Sequence, residues 1–139
     1  MISSDDFSGG VLAEIWALEG PDTAATAGLA AQGNEAWLEL YVPQGYHDLW
    51  GASNESIRLM QAAADEDFTT EVRFLSSPTQ NVQTQGLLIE ESADSWIRFD
   101  TYYKNGKLYA FAAVTVDGVS TTMMNKVISG GAAPYLRVT

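Results

Sequence analysis

An all-β fold of short antiparallel strands is what this 139-residue chain predicts, on three observations. Short runs alternate apolar and polar side chains with period two. Gly, Asn, Asp, Ser or Pro punctuates the gaps between them. No useful window carries apolar residues at i, i+3, i+4 and i+7, so helix should be nearly absent. Many short strands at close spacing make a sandwich or barrel, and the length suits one domain spanning residues 1–139.

The elements follow in order. Residues 22–32 are rich in Ala, Thr and Gly, without stripe or cap, and read as loop or weak edge strand. In residues 36–42, Ala36, Leu38, Leu40 and Val42 alternate with Trp37, Glu39 and Tyr41 before Pro43 closes the run. Residues 68–75 repeat the pattern with Phe68, Val72 and Phe74 on one face and stop at Ser76-Ser77-Pro78. Further runs cover 85–91, 95–103, 107–116 and 135–138. Asn105-Gly106 between two of these favours a two-residue type I′ turn, which pairs 96–103 with 107–116, and Asp117-Gly118 reads as the next hairpin.

Composition excludes several functions. Hydrophobic residues make up 46% and charged residues 18%, a globular balance. Eighteen acids against seven bases give a net charge of −11, which repels phosphate backbones and anionic leaflets, so neither nucleic acid nor membrane is an expected partner. Without cysteine there are no disulfides, thiolate metal sites or cysteine nucleophiles. The apolar runs fall far short of the ~20 residues that span a bilayer. The N-terminus carries neither a basic n-region nor an apolar h-region, so the chain as written reads as cytoplasmic or as a piece of a longer exported protein.

Two constellations could carry binding. The first is residues 46–61, where His47, Asp48, Trp50 and Asn54 gather the only histidine, an acid, an aromatic and an amide. Sugars are held by aromatic faces against C–H groups and by planar polar groups that take paired hydroxyls. The structural alternative is that Asp48 caps a turn, His47 satisfies a backbone carbonyl and Trp50 plugs the end of the sandwich. The second comes from period-two counting. Placing Val72, Phe74, Ile97 and Phe99 in the core turns Glu71, Arg73, Trp96, Arg98, Asp100 and Tyr102 to the opposite face, with Leu88 and Glu90 joining them. That set would line a groove on a concave sheet, or form a ladder of ion pairs on a solvated one. Glu90-Glu91 and Asp65-Glu66-Asp67 invite a two-carboxylate glycosidase reading, but neighbouring strand residues point to opposite faces and a turn cluster suits solvation. Asp65-Glu66-Asp67 and Asp5-Asp6 would also suit a structural calcium ion; no other cofactor is implied.

Taken in order, Ser4-Asp5-Asp6-Phe7-Ser8-Gly9 with Trp16, His47-Asp48-Leu49-Trp50 with Asn54, and Arg58-Leu59-Met60-Gln61 form a series. It continues through Asp67-Phe68-Thr69, Gln85 to Glu90, Trp96-Ile97-Arg98-Phe99-Asp100 and Ala133-Pro134-Tyr135-Leu136-Arg137-Val138. This series resembles the concanavalin A-like lectin/glucanase superfamily, in its LamG-like branch that contains the "regulation of enolase" domains. The resemblance implies an antiparallel jelly-roll β-sandwich, often a carbohydrate-binding module. The Glu-x-Asp-x-x-Glu type pattern of the superfamily's glucanases is missing, so catalysis is not inherited. Members usually continue past the Tyr-Leu-Arg-Val strand with further strands, so the resemblance leads us to expect an exposed sheet edge that pairs with a second copy or a partner chain.

The reading that follows is a non-catalytic module that recognises a poly- or oligosaccharide on its concave face through His47, Asp48, Trp50, Asn54, Arg73, Glu90, Trp96, Arg98, Asp100 and Tyr102. The alternatives are an assembly domain that pairs through its sheet edge, and a weak glycoside hydrolase or lyase.

Overall fold

The computed structural model describes residues 1–128 and 135–139. Among them there is no helix, and the chain forms several antiparallel sheets, as a β-sandwich requires. The strands are β1 (Ala17–Glu19), β2 (Thr26–Gln32), β3 (Glu35–Tyr41), β4 (Leu49–Trp50), β5 (Ser53–Asn54), β6 (Arg58–Met60), β7 (Thr70–Arg73), β8 (Thr84–Ser92), β9 (Ser95–Lys104), β10 (Lys107–Val116), β11 (Val119–Val127) and β12 (Tyr135–Val138). The chain divides into two compact units, Met1–Leu49 with Asn54–Phe68 and Trp50–Ser53 with Thr69–Thr139.

In the first unit, β1 pairs with β6 and β2 with β3. Residues 26–32 are thus a full strand, not the loop or weak edge expected from their composition. The register explains it: Ala27, Leu29 and Ala31 lie opposite Leu40, Leu38 and Ala36, so the small residues share one apolar face with the leucines of β3. The Asp5-Asp6-Phe7 segment is a local turn. Phe7 N–H and Trp16 Nε1–H donate to the two Asp5 carboxylate oxygens at 2.7 and 2.8 Å, which sets the Phe7 and Trp16 rings 6.1 Å apart.

In the second unit, β8 to β11 form one sheet in the order β11-β10-β9-β8, and β12 pairs with β7. Both turns of the β9-β10-β11 meander have positive φ at both central residues, Asn105 (50°) and Gly106 (79°), then Asp117 (48°) and Gly118 (74°). That is the I′ geometry expected from Asn-Gly and Asp-Gly. The strands expected at 107–116 and 135–138 form with those bounds. Ala133 and Pro134 lie outside the described residues.

The side chains of β9 do not divide simply into core and solvent. Val72, Phe74, Ile97 and Phe99, assigned to the core by period-two counting, are half-buried. The deepest large side chain is Trp96 on the opposite face, at 2% exposure, together with Thr115. Asp100 and Ala113 are buried on that same face, and Thr101, Leu108 and Ala112 on the other. Buried residues therefore lie on both faces of central strands β9 and β10, while Tyr102, Tyr109 and Phe111 stay half-buried, which replaces the in-out alternation of a half-solvated sheet.

Candidate functional site

Alternation along β9 aligns Trp96, Arg98, Asp100 and Tyr102 on one face, and the ladder pairing fixes what stands beside each. On β10 the residues opposite are Thr115, Ala113, Phe111 and Tyr109; on β8 they are Glu90, Leu88, Gly86 and Thr84. One row further, β11 supplies Ser120, Thr122, Asn125 and Val127. Five of the ten sequence-derived site residues, Glu90, Trp96, Arg98, Asp100 and Tyr102, therefore share one face.

Three features organise it. Tyr102 and Tyr109 stack with ring centroids 4.9 Å apart and planes 11° from parallel, and the Tyr102 hydroxyl donates to Asn125 Oδ1 at 2.9 Å. Phe111 meets Tyr102 edge-on at 5.9 Å, with the Arg98 guanidinium carbon 5.1 Å from its ring centroid. Arg98 Nε–H also donates to Asp100 Oδ2 at 2.6 Å. Both partners of that ion pair are nearly buried, with side-chain exposures of 13% and 7%. Burial pushes the Asp100 carboxyl above its ordinary value, and the hydrogen bond and charge of Arg98 pull it part of the way back. Asp100 Oδ1 and Trp96 Nε1 are buried without a hydrogen-bond partner among the described residues.

Trp96 is enclosed rather than presented: its neighbours across the ladder include the short side chain of Thr115. Thr115 Oγ1 lies 2.6 Å from Ser120 Oγ, and Ser120 Oγ accepts the Gly51 N–H at 2.7 Å. Those bonds hold the turn after Trp50, whose ring reaches Phe111 at 6.2 Å. Trp50 thus joins the aromatic group from the end of β4 and stays 42% exposed.

The other nominated residues lie elsewhere. Arg73 stands on β7, opposite Tyr135 of β12, and not in the four-stranded sheet. His47, Asp48 and Asn54 belong to the first unit. His47 Nε2–H donates to the Pro43 carbonyl at 2.8 Å, and Asp48 Oδ1 accepts the Leu49 N–H at 2.9 Å, which are the backbone duties of the structural alternative. Among the described residues no three His, Asp or Glu side chains gather as metal ligands.

Tyr109, Phe111 and Asn125 are the members that the sequence reading missed. A signal for the first two was present, because a two-residue turn at Asn105-Gly106 puts Tyr109 opposite Tyr102 and Phe111 opposite Asp100 by counting alone. Asn125 follows a bulge in β11 and had no such signal.

The chain matches no protein-family model, and comparison with curated proteins and with solved structures gives no match either.

Proposed function

We propose that the second unit is a non-catalytic carbohydrate-binding module that uses the β8–β11 face described above, in a jelly-roll β-sandwich of the concanavalin A-like type. The observation that carries this reading is the Tyr102–Tyr109 stack, tethered by Asn125 and continued by Phe111 and the exposed Trp50. Aromatic surface beside a planar guanidinium and an amide is the chemistry that holds sugar C–H faces and hydroxyls. Trp96, at 2% exposure, is packed away on the same face and offers no surface to a ligand. Asp100 is committed to Arg98 and buried, which favours binding over acid catalysis.

Affinity electrophoresis against β-glucans, xylans, agars and alginates tests the reading. Trp50→Ala and Tyr109→Ala should each weaken retention about two- to tenfold, the range of one aromatic contact. Uniformly unretarded migration of the wild type would refute it, and reducing sugar released from the same panel would replace binding with hydrolysis.

A further inference from the structure

Strand β11 is an edge of the four-stranded sheet: among the described residues it pairs with β10 alone. It is nine residues long, and every residue except Ser120 is exposed. Val119, Met123 and Val127 are 70%, 66% and 53% exposed. An exposed, long, apolar edge is a template for pairing with another strand. Natural edges are usually guarded by charge or Pro, and the opposite edge of this sheet, β8, carries Glu90 and Glu91. In a chain with 18 acids, β11 has none, no Pro, and one charge, Lys126.

The direction of its free backbone groups can be worked out. Ile128 N–H donates to the Leu108 carbonyl at 2.8 Å, so alternation turns the N–H and C=O of Asn125 and Val127 away from β10. From the hairpin end, Val119 closes against Val116, which leaves Ser120 and Thr122 facing outward. The bulge at Met123 separates these two outward pairs. The outward set is therefore symmetric about a point between Met123 and Met124.

We propose that β11 pairs antiparallel with β11 of a second copy, across a two-fold axis between Met123 and Met124, and joins two sheets into one of eight strands. Ser120 then bonds to Val127 of the second copy and Thr122 to Asn125. Met123 meets Met124, and Thr121 lies beside Lys126. The bulge, which would tilt a uniform edge away from a partner, sits on the axis, so the ladder segments on either side stay in phase. No acid faces another acid, although each chain carries a net charge of −11. The seam is about 30 Å long and, at the ~10 Å thickness of a side-chain layer, covers roughly 300 Å² per copy. The total of about 600 Å² over both copies is below the ~1,200 Å² total of a standard stable interface, so the pairing should depend on concentration. This inference does not require the sugar-binding reading.

Sedimentation equilibrium of the 139-residue chain at low salt should show a concentration-dependent rise from 15.0 kDa toward twice that mass. Thr121→Lys places two lysines side by side at both ends of the seam and should weaken association at least tenfold. Both side chains are exposed, so the fold is not at stake, and a matching far-UV spectrum checks it. Adding Lys126→Glu to Thr121→Lys creates opposite charges across the axis, too far apart along one strand to pair within a chain, and should restore association. A mass fixed at 15.0 kDa, association indifferent to Thr121→Lys, or a double variant that stays weak would each overturn the proposal.

Discussion

Truncating Trp96 separates a packing role from a ligand-contact role. A buried indole removes roughly 150–250 Å² from water, which at ~25 cal/mol per Å² is worth about 4–6 kcal/mol. A compact unfolded chain lowers that to ~3–5 kcal/mol, the usual cost of truncating a core aromatic. Since Trp96 is 2% exposed, Trp96→Ala should lose that amount in urea unfolding followed by far-UV circular dichroism. That is a large share of the ~5–15 kcal/mol of a domain of ordinary stability. Trp96→Phe should stay within ~1.5 kcal/mol of wild type, because it keeps a large ring and deletes an indole N–H that has no partner among the described residues. The reasoning fails if Trp96→Ala costs under ~1 kcal/mol, or if it abolishes sugar retention while the unfolding midpoint stays put.

Two further outcomes follow from the same face. A methyl on Gly86 would overlap the Phe99 carbonyl oxygen and Asp100 Cβ, backbone and near-backbone atoms that cannot swing away; Gly86→Ala should therefore destabilise by at least the ~1–3 kcal/mol of an overpacked site, read as a lower urea midpoint. Asp100 has a carboxyl pKa raised in the folded state above its reference of 3.8, so its contribution is fullest below that value and declines as pH rises through the folded value. Asp100→Asn should remove this decline, and the wild-type advantage over the variant should shrink from acidic to neutral pH; an advantage that grows with pH would contradict the burial argument.

The sequence by itself determined the local geometry. Alternation marked β3, β9 and β10, and Asn105-Gly106 and Asp117-Gly118 fixed both turns, because a type I′ turn needs positive φ at two adjacent positions and few residue pairs supply it. It also aligned Trp96, Arg98, Asp100 and Tyr102, since strand period is a property of the backbone alone. Long-range pairing and burial were decided by tertiary structure. β2 formed because small residues found the leucines of β3, and β11 because a hairpin carried a sequence without alternation onto β10. Arg73 left the group when β7 chose β12. Trp96 became the deepest side chain on a face expected to be open, because alternation states which residues share a side of a sheet and says nothing about what covers that side.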